Sequence, residues 1–212
     1  MKTDKEIRSF GKFEIRQVGE GDLKEIHIQG YALTFDTISE DLGFKETIKR
    51  GALDNCDLSN VILNYNHNDN LILARNSKTS GPGSLILSVD DKGLFFDAIP
   101  TNTTYARDLI ENMENGIVGK CSFAFSLDWK DDSAQSWDWD LDDKRGYDFR
   151  TINKIYKISD CSIVVNPAYE STSSSVYKRA KEENENEVKE LRELEELKKD
   201  IEVTEIFNEL LN

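Results

Sequence analysis

The stretch Cys121-Ser122-Phe123-Ala124-Phe125-Ser126-Leu127-Asp128-Trp129 alternates large apolar residues with small or polar ones. Successive side chains of a β-strand point to opposite faces. Cys121, Phe123, Phe125, Leu127 and Trp129 therefore share one face, which must be core. Ser122, Ala124, Ser126 and Asp128 share the other, so Ser122 is directed away from the aromatic face. Gly116 and Gly119 precede the strand and let another backbone come close.

Working outward, Thr104 to Asn115 (TYARDLIENMEN) reads as a helix. Thr103 or Thr104 is placed to cap it, Leu109 and Met113 share a face, and Gly116 supplies the stop. Ser84 to Pro100 (SLILSVDDKGLFFDAIP) reads as two strands around an Asp-Asp-Lys-Gly turn. Val61-Ile62-Leu63 reads as a short buried strand. Residues 10–35 alternate with period two and are broken by Gly19-Glu20-Gly21-Asp22, as a hairpin would be. Ile152 to Val165 is a further β-rich run. The Trp/Asp tract from Trp129 to Arg145 reads as a polar surface insertion. From Lys178 the chain becomes almost all Glu, Lys, Arg and Leu, with Leu191, Leu194, Leu197 and Ile201 on one side of a helix. Thr204 is placed to cap a second short helix through Leu211. The expected organisation is a domain over 1–177 and a separable, charged helical tail over 178–212.

Composition narrows the function. The 212 residues carry a formal charge of −14 and a pI near 4.6, which argues against nucleic acid as a partner. No run approaches the roughly 18 apolar residues of a membrane span. The start, MKTDKEIRSFGKF, is charged where a signal peptide would be apolar, so a cytoplasmic protein is expected. Cys56, Cys121 and Cys161 are widely spaced and lack a CxxC neighbour, which fits reduced thiols. Gly81-Pro82-Gly83-Ser84 lacks the lysine and helix of a phosphate loop. Asp128 to Asp143 lacks the glycine and spacing of an EF-hand. No metal or cofactor is expected.

Chemistry-bearing candidates are few. Of two histidines, His27 lies mid-strand between Ile26 and Ile28 and reads as structural. His67 follows the Val61–Tyr65 strand in Asn64-Tyr65-Asn66-His67-Asn68-Asp69-Asn70, held by the scaffold yet open to a cleft. It is the side chain suited to take a proton near neutral pH. Ser122, on a rigid strand opposite a packed face, is a candidate nucleophile. A carboxylate should orient the histidine, and Asp69, Asp97 and Asp160 are the candidates. Asp160 sits inside the apolar run Ile158-Ser159-Asp160-Cys161-Ser162-Ile163, where an unpaired charge is costly.

Together these segments resemble the tailed-phage prohead protease family, related in fold to the herpesvirus capsid assembly proteases. The resemblance runs from Ile28 to Tyr169. It begins with Gly30-Tyr31-Ala32-Leu33-Thr34-Phe35, Glu46-Thr47-Ile48 and Arg50-Gly51-Ala52-Leu53, like "E-x-I-x-x-G-A-F". Next come Asn66-His67-Asn68 and Ala74-Arg75, where the family has N-H-D and G-R, and then Gly93-Leu94. Gly116 to Phe125 is like "G-x-x-x-x-x-S-F-G-F", and Asp160 to Tyr169 is like "E-V-S-I-V-x-x-P-A-Y". Leu53, Asn68, Ala74, Ala124 and Asp160 depart from the pattern without removing a chemical group the mechanism needs.

The resemblance implies Ser122 as nucleophile, His67 as general base and Asp160 as third member, with Arg75 a polar candidate for the oxyanion. It implies an α+β fold with a mainly antiparallel, barrel-like sheet flanked by helices. It also implies a serine endopeptidase that cuts scaffold and major capsid protein, and itself, inside the phage prohead in the host cytoplasm. A homo-oligomer without nucleic-acid or membrane partners is expected, with the tail as a docking segment. The rival readings are a non-enzymatic capsid or scaffold component and a cysteine hydrolase using Cys121 or Cys161.

Overall fold

The computed structural model describes residues 5–11, 13–18, 25–165, 177–191, 193–194 and 198. The chain divides into two units, Met1–Ser173 and Ser174–Asn212. The first is α+β and built mostly of strands. In chain order these are β1 (Glu6–Gly11), β2 (Phe13–Val18), β3 (Glu25–Thr34), β4 (Lys45–Ile48), β5 (Ile62–Tyr65), β6 (Asn68–Arg75), β7 (Ser84–Val89) and β8 (Gly93–Ile99). Helix α1 (Thr104–Glu114) follows, then β9 (Lys120–Ser126), β10 (Gln135–Asp138), β11 (Phe149–Ile152) and β12 (Lys157–Val164).

Nine strands form the main sheet in the order β1-β9-β12-β5-β6-β7-β8-β3-β2. Neighbours are antiparallel except β12–β5 and β6–β7. The ladder is open, with β1 and β2 at its ends, so the expected barrel-like sheet does not close by hydrogen bonds; β1 nevertheless packs against β3. The β2–β3 and β7–β8 hairpins occur where the alternation predicts them. The Gly19–Asp22 turn lies outside the described residues.

Helix α1 buries Ala106, Leu109 and Met113. Thr103 occupies the N-cap position, but neither threonine caps by its side chain, and the Thr103 hydroxyl is buried without a partner. Gly116 takes φ +70°, the left-handed geometry that ends a helix, and its N–H bonds the Met113 carbonyl.

Strand β9, second from one end of the sheet, is buried along both faces. Cys121, Phe123 and Phe125 are fully buried, each aromatic ring worth about 1.5–3 kcal/mol of apolar burial. Ser122 and Ala124 are equally inaccessible, so the second face is not a solvated one. Trp129 lies beyond the strand and is exposed rather than core.

The Trp/Asp tract is more than a surface insertion. It contributes β10 to a smaller sheet, β10-β11-β4. Trp137 meets Phe44 edge-on at 5.0 Å and stacks on Trp139 at 4.9 Å. Beside these rings lie Glu6, Arg8, Glu46 and Arg150, all buried. Arg8 bonds Glu46 at 2.7 and 3.1 Å and Glu6 at 2.7 Å, while Arg150 bonds Glu6 at 2.6 and 2.9 Å and Glu46 at 2.8 Å. The charges cancel, which is what makes their burial tolerable.

Burial acts to raise the Glu6 pKa, but the charges and hydrogen bonds of Arg150 and Arg8 overcome it and bring the group from 4.5 to about 2. A depressed carboxylate stabilises the fold above its unfolded pKa and loses that contribution as pH falls. The stability of the wild type is therefore expected to fall steeply between pH 4.5 and about 2. Urea midpoints of Glu6→Gln measured across that interval should fall less steeply.

In the second unit, residues 177–191 are helical, and Leu191 and Leu194 are exposed. The short helix expected from Thr204 lies outside the described residues.

Candidate active site

Three adjacent strands, β9, β12 and β5, bring the candidate residues together. Ser122 on β9 faces Ser162 on β12, and Ser162 in turn pairs with Asn64 on β5. Tyr65 pairs with Asn68, so Asn66 and His67 form a two-residue hairpin loop between β5 and β6. Both have positive φ, +52° and +53°, as a type I′ turn requires. Asparagine and histidine tolerate this geometry better than most side chains. His67 thus sits in a tight turn rather than simply at a strand end.

β12 and the residue that follows it hold that turn by three hydrogen bonds. The Asn66 N–H donates to the Ile163 carbonyl at 2.9 Å, and the Val165 N–H donates to the Asn66 side-chain oxygen at 3.1 Å. The His67 N–H donates to Ser162 Oγ at 2.8 Å. The imidazole is consequently aimed between β9 and β12. His67 Nδ1 lies 2.6 Å from Asp160 Oδ1, and Nε2 lies 2.8 Å from Ser122 Oγ. Asp160 can only accept, so Nδ1 carries the hydrogen and Nε2 of the neutral ring faces the serine as an acceptor.

Asp160 is 1% exposed, and its second oxygen accepts from Lys5 Nζ at 2.7 Å. Burial pushes its pKa up, but the hydrogen bonds and charges of His67 and Lys5 outweigh this, leaving the carboxyl below the ordinary range. It is therefore ionised at neutral pH and able to hold a positive imidazolium. The Arg8 carbonyl also lies 2.8 Å from Ser122 Oγ, a second acceptor for its single hydrogen.

The other carboxylate candidates are engaged elsewhere. Asp97 bonds His27 Nδ1 at 2.7 Å, and Asp69 accepts from Asn64 at 3.5 Å. Arg75 turns to Asn60 Oδ1 at 2.9 Å, and no hydrogen bond joins it to Ser122 or His67. Cys121 is buried in the core, where its thiol is pushed up to about 12, and burial raises Cys161 likewise. Neither suits a thiolate nucleophile. Among the described residues, no His, Cys, Asp and Glu cluster is positioned to hold a metal ion.

Sequence reasoning missed Ser162, Lys5 and Arg8. Ser162 was accessible to it, since strand alternation puts it on the same face as Asp160. The contacts of Lys5 and Arg8 reach across more than a hundred residues and leave no local signal. Ser162→Ala removes one of the bonds that fix the turn. Its expected effect is a roughly tenfold lower kcat with KM little changed, as for misplacement of a catalytic group. A parallel fall for Ser162→Ala and Ser162→Thr would instead indicate general loosening of β12.

A hydroxyl, an imidazole and a buried carboxylate hydrogen-bonded in series are the equipment of a serine hydrolase. Residues 12–187 match the family model of the caudovirus prohead serine protease, and the chain belongs to that protease family. The match spans every strand from β2 onward and continues past the first unit into the second. Among solved structures, the bacteriophage T4 capsid assembly protease is similar at 15% identity with a TM-score of 0.49, covering 79% of this chain and 100% of that one. No curated protein matches. Among the described residues, no helix is long and apolar enough to cross a membrane.

Proposed function

We propose that the chain is a serine endopeptidase that processes scaffold and major capsid protein inside the phage prohead, with Ser122 as nucleophile, His67 as general base and Asp160 as orienting carboxylate. The observation that carries this reading is the continuous series from Ser122 Oγ to His67 Nε2 at 2.8 Å and from His67 Nδ1 to Asp160 Oδ1 at 2.6 Å. As Ser122 attacks a peptide carbonyl, His67 accepts the hydroxyl proton and Asp160 stabilises the resulting imidazolium. The proton passes to the leaving amine, and an acyl-enzyme forms on Ser122. Water then hydrolyses it with His67 again as base. Family membership supports the substrate class, self-cleavage and the prohead location. The enzyme works as a homo-oligomer, and the charged tail from residue 178 docks it within the assembling shell.

The test is co-expression with the phage's capsid and scaffold proteins. Wild type and Cys121→Ala should process both, and Ser122→Ala neither. Processing by Ser122→Ala would remove Ser122 from the role of nucleophile, and a wild type that processes neither would leave the protein as a non-enzymatic component of the head. Asp160→Asn should lower kcat by roughly 10⁴-fold, because an amide can hold the imidazole in the wrong tautomer. An unchanged rate would remove the carboxylate from the mechanism.

A further inference from the structure

The nucleophile is covered by the chain's own N-terminal strand. β9 has two edges. One is taken by β12, which is itself held by β5 on its far side, and the other is taken by β1, the free end of the sheet. Glu6, Ile7 and Arg8 pair with Phe125, Ala124 and Phe123, and the register then slips, so that a β-bulge lies opposite Ser122. At that point the Arg8 carbonyl takes a hydrogen bond from Ser122 Oγ. A hydroxyl has one hydrogen, so this carbonyl competes with His67 Nε2 for the proton the base must take. The same segment places Lys5 on Asp160. Ser122, between β1, β12 and His67, is 0% exposed. The cleft that flanks the site opens on Lys5, Arg75, Lys157 and Asp160 rather than on the serine.

An extended peptide offered to a sheet binds by adding a strand to a free edge. We infer that the β9 edge held by β1 is the substrate-strand site, and that β1 occupies it as an internal competitor which must leave before a substrate enters. This rests on the reading of Ser122 as nucleophile. Arg8 presents its carbonyl oxygen, not its carbon, to Ser122, so β1 sits in the site without being cut at that bond. Departure of β1 breaks the Arg8–Glu46 and Arg150–Glu6 bonds but strands no net charge on either side. Glu6 and Arg8 neutralise each other on β1, and Glu46 and Arg150 remain a bonded, neutral pair behind it. The family match begins at residue 12, so it takes in Ser122, His67 and Asp160 but leaves out β1.

The experiment locks the strand in the full-length chain. Ile7 and Ala124 are direct partners in the ladder, and opposed residues of an antiparallel pair fall within disulfide range. Ile7→Cys/Ala124→Cys, oxidised, should react with a fluorophosphonate at Ser122 at least roughly tenfold more slowly than the same protein reduced, the open fraction having been removed. Equal rates in the two states overturn the proposal. A reduced form and wild type that are both inert after prolonged exposure overturn the nucleophile assignment beneath it. If the cysteine pair prevents folding, Glu6→Gln/Arg8→Met decides the matter by weakening the hold on β1 while leaving Glu46 and Arg150 paired. That variant should react roughly tenfold faster than wild type, and an unchanged rate overturns the proposal.

Discussion

His67→Ala is expected to lower kcat for peptide hydrolysis by roughly 10⁴–10⁶-fold while leaving the fold intact. The imidazole is the only base within hydrogen-bonding reach of Ser122 Oγ among the described residues. The other histidine cannot replace it, because His27 lies on β3 and is bonded to Asp97 on β8. Removing the ring leaves Asp160 paired with Lys5, so no buried charge is stranded. The loss should appear in kcat rather than KM, since proton transfer contributes to the transition state and not to substrate docking. Single-turnover kinetics on a capsid-derived peptide, with circular dichroism to confirm folding, would measure it. A loss of only a few-fold in a folded variant would remove His67 from the role of base.

Arg150→Met carries the largest expected cost in stability, about 3–5 kcal/mol. It leaves Glu6 and Glu46 buried with only Arg8 to neutralise them. Two carboxylates facing one cation in a dry site pay for desolvation without full compensation. The thermal midpoint should drop by roughly 10 °C or more. Charge balance, not the loss of arginine as such, is the cause, so Glu46→Gln/Arg150→Met should be less damaging than Arg150→Met alone. If the double substitution is the worse of the two, the network owes its value to packing against Trp137, over which Arg150 lies at 5.6 Å.

Much of the main sheet is legible from periodicity. The alternation from Cys121 to Trp129 predicts β9 and places Cys121 and the phenylalanines in the core, where they are found. Two hairpins and α1 are legible for the same reason, since their signals are local. What is not legible is set by contacts between distant segments. No local pattern marks Glu46, Arg150 and Arg8 as buried, and only the meeting of β1, β4 and β11 makes them a network. The acidic run around Trp137 hides β10, whose apolar side is read by Phe44 from another part of the chain. The site divides in the same way. Ser122 is marked by alternation, and the cost of an unpaired acid within an apolar run points to Asp160. Only the family pattern sets it above Asp69 and Asp97. Nothing local announces the I′ turn that aims His67, or the N-terminal strand that turns an expected open face into a closed one.

The central claim, that Ser122 is the nucleophile and His67 its activator, is tested most directly by locating a covalent adduct. Wild type, Ser122→Ala, His67→Ala and Cys121→Ala, all full-length, would be exposed at length to a fluorophosphonate and digested for mass spectrometry. The account predicts a phosphonyl group on Ser122 in wild type and Cys121→Ala, and none in Ser122→Ala or His67→Ala. An adduct that persists in Ser122→Ala, or forms equally well without His67, would contradict it.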